Sequence, residues 1–188
     1  MDDNEIVELY WKRSEKAITE TSKKYSNYCH YISYNILHND EDVKECLNDT
    51  YLRAWNAIPP ERPTYLASFL GKIIRNLSLN RYKQNTTKKR GFGQTELALS
   101  ELEDCIPAKS DVEQTIDEMI LVETLNNFLA ALPKINRMIF VRRYWYLSKI
   151  NDIAEEYSMS ESKVKSMLFR TRNELKKHLE KEVLSYEQ

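Results

Sequence analysis

The chain has 188 residues, 41% of them hydrophobic, which is enough for one modest core or two small ones. It has no run of eighteen apolar residues and begins with the acidic stretch "MDDNEIVELY", so we expect neither a membrane span nor a signal peptide and predict a cytoplasmic protein. With 3 glycines, 5 prolines and no alternation of apolar and polar residues, the composition favours a mostly helical fold.

The sequence offers little material for catalysis or metal binding. Cys29, Cys46 and Cys105 are scattered, with neither CxxC nor zinc spacing, and we interpret them as reduced and mostly buried; a metal or redox role is the alternative. The chain has 3 histidines, no close group of histidine, cysteine and carboxylate, and no glycine-rich phosphate loop. We therefore predict no catalytic residue, no metal, no cofactor and no small-molecule substrate.

The net charge of −1 conceals a strong separation of charge along the chain. Residues 72–90 contain seven bases and no acid, and residues 163–177 contain six bases and one acid. Between these basic segments, residues 94–118 contain eight acids and one base. Two basic segments separated by an acidic one indicate that charge is patterned along the chain, although the net charge is close to zero.

The first part of the chain predicts a helical domain over residues 1–85. Apolar periodicity predicts four helices, and the proline-rich stretch "IPPERP" at residues 58–63 cannot lie inside a helix. The predicted helices are Asn4–Ala17, Glu20–Leu37, Asp40–Ala57 and about Thr64–Gln84.

The third predicted helix has an acidic outer face around one apolar residue. Its inner face carries Val43, Leu47, Thr50, Tyr51 and Ala54, whereas Leu52 falls among polar side chains that include Glu41, Glu45, Asn48, Asp49 and Asn56. Acids that surround an exposed leucine suit a basic partner helix, with charge steering the encounter and the leucine supplying buried area. The alternative is an ordinary solvated face.

The fourth predicted helix has a buried side and a basic side. We expect Leu66, Phe69, Leu70, Ile73 and Leu77 to be buried, and a second arc to carry Lys72, Arg75, Asn76, Leu79 and Lys83. Bases interleaved with an amide and an apolar side chain suit a single strand or a melted duplex edge. A solvated basic face is the alternative.

Residues 86–110 are predicted to form a flexible acidic linker, because they are polar, segregated in charge and without convincing periodicity. In the free protein, this acidic segment is expected to fold against the basic segments and to suppress nonspecific DNA binding.

A second helical domain is predicted over residues 111–188. Its four helices are expected near Asp111–Ala131, Pro133–Tyr146, Ser148–Tyr157 and Ser160–Glu182.

The last two predicted helices follow the helix-turn-helix plan, with a short helix, a tight turn and a longer second helix. Val164 and Leu168 fall on the inner side of the second helix, whereas Phe169 lies on its charged side. An exposed aromatic side chain surrounded by basic and hydroxyl side chains suits the major groove of DNA, where the aromatic ring can contact a thymine methyl group. The alternative is a solvated basic helix in an α-bundle.

Taken in order, these features resemble the extracytoplasmic-function (ECF) group of sigma factors, the promoter-recognition subunits of bacterial RNA polymerase. The stretch "DVKECLNDTYLRAW" at residues 42–55 resembles the group's "D..D..QE.FL.AW". Likewise "FLGKIIRNLSLNRYKQ", residues 69–84, resembles "WL..IARN...DYLR". Residues 132–175, which include "DIAEEYSMSESKVKSMLFRTRNEL", resemble the group's second DNA-reading motif.

The resemblance implies an all-α, non-enzymatic protein of two small helical domains, the second a helix-turn-helix, joined by a linker. It implies docking on the clamp coiled coil of core RNA polymerase through Glu45, Asn48, Asp49 and Leu52. It implies that the fourth helix opens the −10 region of the promoter and reads its melted strand. The loop before this helix, residues 57–65, is implied to hold a flipped-out base. The implied −10 residues are Lys72, Arg75, Asn76, Leu79, Asn80 and Lys83.

The same resemblance implies that the second domain reads the −35 duplex and contacts the polymerase flap. The implied −35 residues are Arg142, Ser160, Lys163, Lys165, Ser166, Phe169 and Arg170, with Arg142 on phosphate. An anti-sigma factor is the expected regulator, and no direct membrane insertion is expected. A stand-alone regulator with a LuxR-like helix-turn-helix is the alternative, although it gives no role to the acidic face or to the basic arc.

Overall fold

The computed structural model describes residues 1–86, 94–103, 105 and 118–186. In these residues the structure is all-α, with nine helices and no strand. The chain divides into two compact units, Met1–Gly91 and Phe92–Gln188. The prediction of an all-α fold is confirmed.

The first unit contains α1 (Asp3–Trp11), α2 (Lys16–Leu37), α3 (Asp40–Ala57) and α4 (Leu66–Thr86). Side chains begin two of these helices: Asp2 and Glu5 form a reciprocal capping box at α1, and Asn39 Oδ1 accepts from the backbone N–H groups of Glu41 and Asp42 at α3. Each cap satisfies backbone donors that have no partner inside the helix. The bounds of α3 agree with the predicted Asp40–Ala57 helix.

The core of the first unit lies where α2, α3 and α4 pack against one another and α1 packs on α2. Apolar spacing along each helix explains this arrangement, because every third or fourth residue turns toward the same neighbour. Its buried apolar side chains include Ile6, Tyr10, Ile32, Ile36, Val43, Ala54, Leu66, Leu70 and Ile74.

The structure differs from the sequence-based prediction at the start of the chain. The predicted helix Asn4–Ala17 ends at Trp11, and α2 begins four residues before the predicted Glu20. Arg13, two residues after the end of α1, has a φ of 51°, and its guanidinium donates to the backbone carbonyl of Trp55 at 2.6 Å. No glycine or proline signals this turn, so the break follows from a tertiary contact with α3.

Gly71 allows α4 to approach α2 closely. A Cβ at this position would lie 2.6 Å from the Tyr28 hydroxyl oxygen and 3.4 Å from two ring carbons. We therefore expect Gly71→Ala to destabilise the first unit by about 1–3 kcal/mol through overpacking, despite the better helix propensity of alanine. Denaturant unfolding should show a smaller cost in a Tyr28→Phe background, which removes the 2.6 Å contact. An equal cost in both backgrounds would place the strain elsewhere.

The second unit contains α5 (Gln94–Glu103), α6 (Glu118–Ala131), α7 (Lys134–Tyr144), α8 (Ile150–Glu156) and α9 (Glu161–Tyr186). The long α9 packs against α6, α7 and α8. The core collects apolar side chains from all of these helices, among them Ala98, Phe128, Ile139, Phe140, Ile153, Val164, Leu168, Leu175 and Leu179. The predicted helix from Asp111 is observed from Glu118, and residues 111–117 lie outside the described part.

A helix occupies part of the segment predicted as the linker. Where the lack of periodicity predicted no regular element, Gln94–Glu103 forms α5, which buries Thr95 and Ala98 and packs on α7. The stretch of ten residues is too short to show a clear apolar face by itself. Residues 87–93, 104 and 106–110 of the predicted linker lie outside the described residues, and the predicted domain bounds remain a prediction.

Candidate nucleic-acid and protein interfaces

The outer face of α3 presents acids around one exposed leucine. Leu52 is 57% exposed, and Glu45, Asn48 and Asp49 are exposed as well. The opposite face buries Val43, Cys46, Thr50 and Ala54. Thr50 Oγ1 donates to the Cys46 carbonyl at 2.7 Å, which keeps this hydroxyl satisfied inside the core. The structure therefore brings together the four side chains that the resemblance assigns to docking.

One basic residue of α4 contacts this acidic face. Arg81 forms ion pairs with Glu45 and, at 3.4 Å, with Asp42, whose other carboxylate oxygen accepts from Asn85 at 3.0 Å. Although burial opposes the charged form of Arg81, its hydrogen bond to Glu45 and the two carboxylates raise its pKa. The sequence did not predict that Arg81 pairs with acids of α3, because a contact between two helices leaves no local signal in the sequence.

A cleft of about 500 Å³ lies between the end of α3 and the first half of α4. Lys72 and Asn76 line it from the predicted basic arc. Phe69 and Ile73, expected in the core, are only half-buried and form its apolar wall. Arg53 and Asn56 of α3 complete the lining, together with Ala57 and Glu61, which lie within the loop at residues 57–65 that the resemblance assigns to a flipped-out base. Of these four residues, only Arg53 has no place in the sequence-based prediction.

The other members of the basic arc differ in exposure. Lys83 and Asn80 are exposed, and Leu79 is half-buried. Arg75 is also half-buried, and burial lowers its pKa. The arc therefore presents Lys72, Asn76, Asn80 and Lys83 to solvent more fully than it presents Leu79 and Arg75.

The loop between α3 and α4 is anchored to α1. Arg62 forms an ion pair with Glu8, and its guanidinium lies 5.4 Å from the ring centroid of Trp11. Tyr65, at the end of this loop, is 73% exposed. An ion pair combined with a cation–π contact limits the conformations of the loop while its tyrosine faces solvent.

The second helix of the helix-turn-helix, α9, exposes a row of polar and basic side chains with one aromatic ring. Phe169 is 58% exposed on the same side as other exposed residues, namely Lys165, Ser166 and Arg170. Val164, Leu168, Thr171 and Leu175 are buried on the other side. At the start of the helix, Ser160 Oγ accepts from the backbone N–H of Lys163 at 3.3 Å, and both residues are exposed. Ser160 therefore caps the start of α9.

Arg142, on α7, is held by two neighbours. Its Nη2 lies 2.6 Å from Glu156 Oε1, and its guanidinium lies 5.3 Å from the ring centroid of Tyr146. The side chain is therefore half-buried and oriented, whereas Arg170 of α9 is exposed and Lys165 is exposed with a pair to Glu161 at 3.3 Å. A fixed orientation lowers the entropic cost of a phosphate contact.

All three cysteines are buried, as predicted. Burial raises the pKa of Cys29 to about 12 and also raises that of Cys46, so both thiols stay protonated at neutral pH. Within the described ranges, no three histidine, cysteine or carboxylate side chains come together as metal ligands, and no helix is both long and apolar enough to cross a membrane.

Two family models match the chain, one in each unit. Residues 22–87 match Sigma-70 region 2, and residues 123–175 match Sigma-70, region 4. A search of curated protein sequences finds no match. The first model covers the acidic face of α3 and the basic arc of α4, and the second covers the helix-turn-helix. The chain therefore belongs to the sigma-70 family, the non-enzymatic subunits that bind core RNA polymerase and direct transcription from specific promoters.

Proposed function

We propose that this chain is a sigma factor of the ECF group that reads two promoter elements while it is docked on core polymerase. In this proposal, α3 binds the clamp coiled coil, α4 captures the melted −10 strand, and α9 reads the −35 duplex. The exposed side of α9 carries the proposal, because it places Phe169 beside Lys165 and Arg170, a combination that can contact both phosphates and base edges.

The outer face of α3 supports polymerase docking. Glu45, Asn48 and Asp49 surround Leu52, so a basic helix placed here would find acids at the rim and apolar area at the centre. Rim charges of this kind speed association, and the central apolar contact slows dissociation. Duplex DNA is an unsuitable partner for this face, since its phosphates would meet carboxylates.

The cleft beside α4 supports capture of a melted strand. Phe69 and Ile73 provide apolar walls against which a base can pack. Lys72 at the rim can neutralise a phosphate, and the amide of Asn76 can hydrogen-bond to a base edge. A base that leaves the stack at the −10 element fits these requirements.

The helix-turn-helix supports reading of the −35 duplex. In such domains the N-terminal half of the second helix enters the major groove, and this half carries Lys165, Ser166, Phe169 and Arg170. Arg170 can contact a guanine edge or a phosphate, and Phe169 can contact a thymine methyl group. The oriented Arg142 suits a phosphate at the groove edge. A docked second unit would also contact the polymerase flap, and an anti-sigma factor would regulate the chain by covering these faces.

Footprinting with and without core polymerase separates this function from that of a LuxR-like regulator. We expect the full chain alone to bind DNA weakly, and the holoenzyme to protect two separated elements, because docking raises the effective concentration of each reader. A two-fold-symmetric footprint from the chain without polymerase would support the stand-alone regulator instead. The chain is then a dimeric reader, and its α3 face is an ordinary solvated surface.

We expect Arg170→Ala and Phe169→Ala to weaken initiation through the −35 element. Each loss should cost about 1–3 kcal/mol at one promoter position and relax the preference for the base there. Competition between templates that differ at single −35 positions measures this preference directly. Lys181→Ala is the matched control, because it removes an exposed base from the same helix, beyond the residues that match the family model. Equal effects of Arg170→Ala and Lys181→Ala would mean that Arg170 contributes only general charge.

A further inference from the structure

A buried arginine in the second unit receives its counter-charge from α5. The Arg143 side chain is 0% exposed, and its Nη2 lies 3.2 Å from Glu101 Oε1. Its Nη1 donates to the Ser148 carbonyl at 3.3 Å. A buried cation needs such a partner, because burial without one carries a large desolvation cost. Glu101 therefore ties α5 to α7.

The second carboxylate oxygen of Glu101 ties the same helix to α9. Glu101 Oε2 lies 3.2 Å from Arg172 Nη1 and accepts from the Tyr144 hydroxyl at 2.9 Å. Arg172 Nη1 also donates to the Tyr144 hydroxyl at 2.7 Å, so the four side chains form one connected cluster. Burial raises the pKa of Tyr144, and although burial opposes the charged form of Arg172, the contacts with Tyr144 and Glu101 raise its pKa. The cluster therefore brings two guanidinium groups to one carboxylate.

The cluster joins the two helices that carry the −35 side chains. Arg143 directly follows Arg142 on α7, and Arg172 lies two residues after Arg170 on α9. Because a helix is rigid over such short distances, a contact that fixes Arg143 and Arg172 also fixes the backbone from which Arg142 and Arg170 project. Glu101 itself lies outside residues 22–87 and 123–175, the ranges that match the family models.

We propose that Glu101 is a positioning residue for promoter recognition: through Arg143 and Arg172 it sets the position of α9 relative to α7 and thereby the match of both helices to the −35 duplex. This inference rests on the proposed reading of the −35 element. It gives Glu101, an acid of the predicted linker, a role in that reading. The acid acts on DNA only through its two arginines, since a carboxylate at the phosphate backbone would weaken binding.

The test is the preference of the holoenzyme among templates that differ only in the −35 element, measured by competition in one reaction. Because competing templates share the same active molecules, this ratio does not depend on how much protein is folded. We expect Glu101→Gln to reduce the preference about tenfold, the lower part of the range for one base contact. Glu103→Gln, which removes an exposed acid from the same helix, should leave the preference unchanged.

A second variant keeps the proposal testable if Glu101→Gln folds poorly. Arg172→Met breaks the tie to α9 but leaves the pair of Glu101 with Arg143 intact, and it should reduce the preference as Glu101→Gln does. The double variant should lose no more than Glu101→Gln alone, because Glu101→Gln already weakens the contact with Arg172. Additive losses would show that Arg172 touches DNA itself and would overturn the proposal.

The remaining outcomes separate the inference from the function on which it rests. If the wild type distinguishes −35 templates and Glu101→Gln does so equally well, Glu101 is merely structural and the inference is wrong while the function stands. If the wild type itself makes no distinction, −35 reading fails, and Glu101 has no recognition helix to position.

Discussion

Asp49→Arg is expected to abolish initiation at every promoter that the chain serves. Asp49 is exposed on the face of α3 that surrounds Leu52, where a basic partner helix would meet an arginine instead of a carboxylate. Losing a charge contact and adding repulsion at such an interface costs about 2–5 kcal/mol of docking free energy. The measurement is the affinity of the full chain for core polymerase, followed by run-off transcription from several promoters.

The matched control is Glu15→Arg, which makes the same change of charge at an exposed position at the start of α2. It should leave both affinity and transcription close to wild type, and the unfolding of the first unit should be similar in both variants. If Asp49→Arg binds core polymerase as tightly as Glu15→Arg does, the outer face of α3 is not the docking face.

Glu101→Ala is expected to destabilise the second unit by about 3–5 kcal/mol, the usual cost of removing one partner from a buried ion pair. The Arg143 side chain is 0% exposed, so it cannot reach water to replace the lost carboxylate. Its Nε already lacks a hydrogen-bond partner among the described residues, which leaves little capacity for rearrangement. Thermal unfolding would measure this loss of stability, and hydrogen exchange of the backbone amides in α7 and α9 would locate it.

A second substitution should reverse most of this loss. Adding Arg143→Met to Glu101→Ala removes the unpaired cation and fills its place with apolar atoms, a change that is often neutral or stabilising for a buried pair. Glu103→Ala, on the exposed side of the same helix, should cost little. A double variant no more stable than Glu101→Ala would show that α5 contributes through packing rather than through its charge.

Sequence patterns predicted the elements whose signals are local. The bounds of α3 follow from Asn39 as an N-cap and from the proline-rich stretch after Ala57, and both signals are visible in the sequence. The sequence signal for the exposed side of α9 is equally local, because helical spacing alone places Phe169 on a different side from Val164 and Leu168. Exposure of a side chain on a regular helix can therefore be predicted without the tertiary structure.

Features that depend on contacts between distant segments could not be predicted in this way. Helix α5 is stabilised by Glu101, whose partners Arg143 and Arg172 follow it by 42 and 71 residues. The apolar wall of the cleft beside α4 could not be predicted for the same reason: Phe69 and Ile73 fit the buried stripe of the helix, yet both are only half-buried. In both places the sequence gives the type of side chain, and the packing of helices decides its role.

In the proposed function, one chain docked on core polymerase reads two separated promoter elements. The experiment that tests this proposal is in-vitro transcription of a genomic fragment library with core polymerase and the full chain, followed by mapping of the start sites. We predict discrete starts preceded by two shared motifs at a constant spacing, absent when the chain is omitted. Starts that share only one motif, or no starts beyond those of core polymerase alone, would contradict the claim.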